Sequence, residues 1–138
     1  MSESLTALVF KVPLPPRVLS PNAARRGDWR TYQEAANAYR DVVWIYARNA
    51  GTFAGWEPPA RVRVSIEFHT RHRKGDGLYG PMDCPNAVSA WKAGYDGLVK
   101  AGLFADDNWR AMELGSVRID PSRGPAVVVT VEALEEAR

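Results

Sequence analysis

The sequence predicts an α+β fold in a single domain spanning residues 1–138, with elements in the order β-α-β-α-β-β. Three observations carry this. Residues 60–70 alternate apolar and polar side chains, the period of a half-buried strand. Two segments, about 31–49 and 86–101, repeat apolar residues at three- and four-residue spacing, the period of helices packed on a sheet. A chain of 138 residues holds one real core and is too short for two ordinary domains. Strands joined through helices allow parallel neighbours, and a closing hairpin has to be antiparallel. A mixed sheet covered by two main helices is therefore expected.

Taken in order, Leu5 to Val12 reads as a first strand, apolar on both sides for most of its length and ended by Pro13, Pro15 and Pro16. A loop follows, marked by Ser20-Pro21-Asn22 and Gly27, carrying Arg17, Arg25, Arg26 and Arg30 beside Trp29. Such a loop can clamp a sugar-phosphate backbone, with arginine on phosphate and tryptophan on an unstacked base. It can equally be a solvated loop whose Trp29 enters the core.

The first helix is expected from Thr31, with Thr31 as N-cap and Glu34 completing a capping box, to Asn49, where Gly51 stops it. Ala35, Ala38, Tyr39, Val42, Val43, Ile45 and Tyr46 form its apolar side. Val62, Val64, Ile66 and Phe68 then alternate with Arg61, Arg63, Ser65 and Glu67 in the clearest strand. It runs into Arg71, His72, Arg73 and Lys74, a dense positive cluster followed by Gly75, Gly77 and Gly80, suited to phosphate contact. Neither His69 nor His72 has a partner at metal-ligand spacing, so both are expected to be surface or DNA-facing residues.

The second helix, about Asn86 to Ala101, has a core face of Val88, Trp91, Tyr95, Leu98 and Val99. Ser89, Lys92, Asp96 and Lys100 lie on another face. Gly94 and Gly97 cost helix propensity and make sense where another backbone approaches closely. Leu114–Ile119 and Ala126–Ala133 read as two strands joined by the turn 120–125, a closing hairpin.

Composition excludes several classes. One cysteine, Cys84, precludes an internal disulfide or a cysteine zinc cluster. The start has no signal-like region and no apolar run reaches membrane-spanning length, so a soluble cytoplasmic protein is expected. The net charge of +2 divides unevenly: residues 1–80 hold a balance of +5 and residues 81–138 one of −3. That division suits a basic surface holding a polyanion beside an acidic pocket holding metal. It is also compatible with ordinary solvated surface.

The chemistry concentrates between Asp83 and Asp107. Carboxylates at both ends of one helix can build a site for a hard divalent cation, which takes oxygen ligands. Taken singly, Lys92 and Asp96 also fit a helix-surface pair, and Asp106-Asp107-Asn108 also fits turn chemistry.

In order along the chain, the proline-rich Val12–Pro16, the Ser-Pro-Asn loop, Tyr39-Arg40, a strand leading into a basic run, and Asp83, Asn86, Lys92, Asp96, Gly97, Leu98, Ala101, Gly102, Leu103, Asp106 and Asp107 resemble the RusA family of Holliday junction resolvases. Many of that family are phage or prophage encoded. The resemblance implies that Asp83 and Asp107 are metal-binding carboxylates and that Asp106 is a neighbour important to the same site. It implies that Lys92 is the essential lysine near the scissile phosphate. It further implies a homodimer that nicks four-way DNA junctions in pairs with Mg²⁺, or Mn²⁺ as substitute.

Arg25, Arg26, Arg30, Arg71, Arg73 and Lys74 would contact the DNA backbone. The family usually reads D-x-D-N, and here Pro85 stands where the second aspartate would be. Asp96 or Asp76 then supplies the missing oxygen, or a single ion suffices, or only junction binding remains. The competing classes are a junction-binding protein without catalysis and a small interaction domain whose acids are turn and cap residues.

Overall fold

The computed structural model describes residues 6–20, 28–70, 84–106 and 108–134. Its elements are β1 (Ala7–Val12), a 3-10 turn (Arg17–Leu19), α1 (Trp29–Ala54), β2 (Arg61–His69), α2 (Cys84–Ala90), α3 (Lys92–Lys100), β3 (Met112–Asp120) and β4 (Ala126–Leu134). They form an α+β fold on one four-stranded mixed sheet of order β1-β4-β2-β3.

Strand β4 is antiparallel to both β1 and β2, whereas β3 runs parallel to β2. A parallel pair needs a crossover, and α2 and α3 supply it between β2 and β3. The expected closing hairpin does not form, because β3 and β4 lie on opposite sides of β2. Burial explains the order. Val127, Val129 and Val131 are fully buried, so β4 takes an inner position, while β3, with half-exposed Leu114, takes an edge.

Val62, Val64, Ile66 and Phe68 of β2 share one core with Tyr39, Val43 and Ala47 of α1 and with Ala87, Trp91 and Leu98 of the crossover. Each fully buried aliphatic or aromatic side chain contributes about 1.5–3 kcal/mol. The alternate residues make the other face of the sheet polar. There Arg63 bridges Glu113 and Glu132, at 2.9 Å each, in pairs exposed enough to contribute little.

Strand β3 carries one extra residue opposite β2: Val64 faces Leu114, but Ile66 faces Val117. Gly115 sits in this bulge because a Cβ there would collide with the Ser65 hydroxyl. Ser65 Oγ instead accepts from the Ser116 amide at 3.2 Å. The shift rotates the rest of β3, so that Arg118 partners Glu67 and Asp120 partners His69.

Helix α1 is longer than expected at both ends. Asp28, not Thr31, caps it, its carboxylate accepting from the Arg30 amide at 3.2 Å. Gly51 continues the helix, where its lack of a side chain admits Leu103, and Gly55 ends it in the left-handed conformation at φ 71°.

The second expected helix breaks in two at Trp91, whose φ of −99° and ψ of 15° depart from helical values. The indole is fully buried and folds back over the position a Gly94 Cβ would occupy. Gly97 lies against α1, where a Cβ would come within 2.7 Å of the Arg40 carbonyl. Both glycines therefore answer to close approach. Among the described residues, no helix is long and apolar enough to cross a membrane.

Candidate functional site

The expected metal-binding and catalytic residues fall in the sequence between β2 and β3, and Arg25, Arg26 and Arg30 fall around the start of α1. Asp83, Asp107, Arg25, Arg26, Arg71, Arg73, Lys74 and Asp76 lie outside the described residues. The others are placed as follows.

Pro85 and Asn86 stand in the first turn of α2. A proline is well suited there, since its missing N–H is one that an α-helix leaves unpaired at its start. Lys92 opens α3 immediately after the break. Its Nζ lies 3.2 Å from Asp96 Oδ1 one turn later, with the lysine side chain 62% exposed. An exposed pair of this kind holds an ammonium in place without withdrawing it from solvent.

Lys100, one turn further, is engaged elsewhere. Its ammonium reaches Asp41 of α1 at 3.0 Å and sits 4.2 Å from the centre of the Trp44 ring. These contacts make Lys100 a brace between α3 and α1. The Lys100 hydrogen bond, with help from Arg40, holds the Asp41 carboxyl below the usual carboxylate range.

After α3, Gly102 turns the chain at φ 76° and Asp106 follows, exposed. Asn108 organises this turn. Its side-chain amide donates to Asp106 Oδ2 at 3.2 Å, and its oxygen accepts from the amides of Arg110 and Ala111 at 2.9 and 3.2 Å. The turn chemistry expected of this run is thus present, and it orients the Asp106 carboxylate. It also leaves Trp109 77% exposed, with the Arg110 guanidinium 5.2 Å from its ring centre.

Trp29 does not enter the core. It is the first residue of α1 and 74% exposed, with Arg30 beside it.

Beneath the helix break lies a buried aromatic group. Trp91 Nε1 donates to the Tyr39 hydroxyl, which donates to the Pro13 carbonyl. Trp91 and Tyr95 pack edge to face at 4.8 Å. Burial pushes both tyrosine phenols well above their ordinary range, and the Tyr95 hydroxyl has no hydrogen-bond partner among the described residues.

The expectation for His69 is wrong. It is 3% exposed, and its Nε2 stands 2.7 Å from Glu67 Oε1. Alternation on β2 puts Glu67 and His69 on one face, and the parallel pairing adds Asp120. Ligand atoms of all three lie within 4.8 Å of one another. Ser122, through its hydroxyl at 2.6 Å and its amide at 2.9 Å, binds Asp120 Oδ1 and keeps that carboxyl below the usual range. The signal in the sequence was the Glu-x-His spacing on a strand.

The chain matches no family model, and no curated protein shows significant sequence similarity to it.

Proposed function

We propose that the chain is a metal-dependent endonuclease of the RusA type, a homodimer that cuts four-way or other branched DNA junctions. One observation carries the reading: in the sequence Asp83 precedes, Lys92 lies within, and Asp106 and Asp107 follow the two helices that join a pair of parallel strands. Lys92 at the solvent-exposed start of α3 and Asp106 in an Asn108-braced turn support it.

The donor set fits a hard cation, since every acid offers carboxylate oxygen and Mg²⁺ needs only one or two from the protein. Asp83 and Asp107 would hold Mg²⁺, assisted by Asp106 and by Asp96. A bound Mg²⁺ supplies an acidified water and neutralises charge on the phosphate oxygens. The Lys92 ammonium stabilises negative charge developing at the scissile phosphate. Arg25, Arg26, Arg30, Arg71, Arg73 and Lys74 bind backbone phosphates, which makes affinity salt-dependent.

A second reading, a junction-binding protein without catalysis, is favoured by Pro85 alone. Its place in the first turn of α2 gives it a helix-starting role and no oxygen ligand.

Incubation of the purified protein with a synthetic mobile four-way junction, with and without Mg²⁺ or Mn²⁺, separates the two. Paired, metal-dependent nicks that Asp107→Asn abolishes, with junction binding retained, support the nuclease. Binding without nicks in either metal rejects it.

A further inference from the structure

We propose that Glu67, His69 and Asp120 form a binding site for a borderline divalent cation such as Zn²⁺, built from residues other than those assigned to Mg²⁺ above and independent of the nuclease reading.

The donors come from the C-terminal ends of two adjacent parallel strands. Glu67 and His69 are two residues apart on β2, and Asp120 is the registered partner of His69 on β3. Their ligand atoms fall within 4.8 Å of one another, and Nε2 of His69 is already 2.7 Å from Glu67 Oε1. A tetrahedral Zn²⁺ with bonds near 2.0–2.1 Å spaces its ligands at about 3.3 Å. Reaching that spacing asks the Glu67–His69 contact to open slightly and Asp120 to move inward, from ligand atoms that already lie within 4.8 Å of one another.

The chemistry of the set selects the ion. One imidazole with two carboxylates suits zinc, manganese, cobalt or nickel, whereas Mg²⁺ and Ca²⁺ take oxygen alone. Two carboxylates beside a neutral imidazole carry two negative charges, which a divalent ion balances. Three protein ligands leave a coordination position for water, as catalytic zinc sites do.

Access and preorganisation are both present. Glu67 also lines a groove of about 130 Å³ on the polar face of the sheet, with Ser65, Ser116, Arg118 and Thr130. His69 is held by burial, its side chain 4% exposed, so its ring loses little freedom on binding. Ser122 fixes Asp120 through Oδ1, and Arg123 lies 3.4 Å from Oδ2 on a side chain 66% exposed, free to swing aside for a cation. Coordination through Nε2 requires the imidazole proton on Nδ1.

The test is calorimetric titration of Zn²⁺ into the chelator-treated full chain, with millimolar Mg²⁺ present to satisfy the oxygen-only site. Co²⁺ provides a visible-absorption readout of the same site. One equivalent is expected in the wild type. His69→Gln should weaken binding about tenfold or more, as should Asp120→Asn. A Cys84→Ser/His72→Gln double variant, which removes the one thiol and the other imidazole in the sequence, should bind as the wild type does.

No Zn²⁺ binding by the wild type overturns the proposal. So does unchanged affinity in a cooperatively melting His69→Gln. If that variant fails to fold, Asp120→Asn at the strand end decides in the same way. Loss of the equivalent in the Cys84/His72 variant would also overturn it. None of these outcomes depends on whether the protein cuts DNA.

Discussion

Trp91 Nε1 donates a 2.9 Å hydrogen bond to the hydroxyl of Tyr39, 52 residues away in the chain, and both side chains are buried. The same hydroxyl donates at 2.6 Å to the Pro13 carbonyl. One phenol thus ties the end of β1, the middle of α1 and the break between α2 and α3. The break sets where α3 begins, and hence where Lys92 emerges.

Tyr39→Phe keeps the ring and removes that tie. It leaves a buried indole N–H and a carbonyl without their partner, a loss of about 1–3 kcal/mol. Urea denaturation should show a lower midpoint with an unchanged slope. A midpoint equal to the wild type's would mean that water replaces the hydroxyl.

Gly97→Ala opposes two effects of different size. Alanine improves helix propensity by about 1 kcal/mol. Its Cβ, however, would lie 2.7 Å from the Arg40 carbonyl and 2.9 Å from Val43 Cβ, forcing α3 away from α1. Overpacking of this kind costs about 1–3 kcal/mol. Net destabilisation is expected in thermal melts, while Gly124→Ala, with nothing within 4 Å of its added methyl, should melt near the wild type.

The fold class was legible because burial writes a period into the chain. Val62, Val64, Ile66 and Phe68 announce a strand with one buried face, and Gly94 and Gly97 announce close approach. Strand order was not legible in the same way. The turn 120–125 is as compatible with a hairpin as with a connection past the end of β2, and only competition for the inner position decides. The Glu67–His69–Asp120 group was hidden for a sharper reason. One-to-one pairing from Val64 and Leu114 onward would set Ile119, not Asp120, beside His69, and the bulge at Gly115 makes the difference. In the crossover, the spacing of Lys92 and Asp106 could be read directly, but the helix break could not, since Trp91 fits a core stripe whether or not the helix continues.

The Asp41–Lys100 contact should appear in the acid limb of stability. The folded pKa of Asp41 is depressed, with the Lys100 hydrogen bond as first cause. Its stabilisation is therefore present above the unfolded value of about 3.9 and is lost as pH falls through the lower folded value. Asp41→Asn should melt below the wild type near neutral pH, and the two should converge as the solution becomes strongly acidic. Melts across that range check the sign, and a gap that widens on acidification would contradict it.

Lys92 separates structure from proposed chemistry most cleanly. Its ammonium forms an exposed pair with Asp96, 3.2 Å apart at one helical turn, and such pairs contribute about 0.2–0.5 kcal/mol. With its side chain 62% exposed, Lys92→Ala should shift the melting transition only slightly. If its ammonium stabilises charge at the scissile phosphate, the same variant should lose cutting of a four-way junction by about two orders of magnitude or more. Junction binding should weaken only modestly, because one phosphate contact among several is removed. Lys100→Ala is the matched control: it removes an ammonium from the same helix that the structure uses only to brace α3 against Asp41 of α1. Retained cutting in Lys100→Ala with lost cutting in Lys92→Ala would assign the lysine to the reaction. Equal cutting rates in both variants and the wild type would make Lys92 a surface residue of α3 and remove the main support for the nuclease reading.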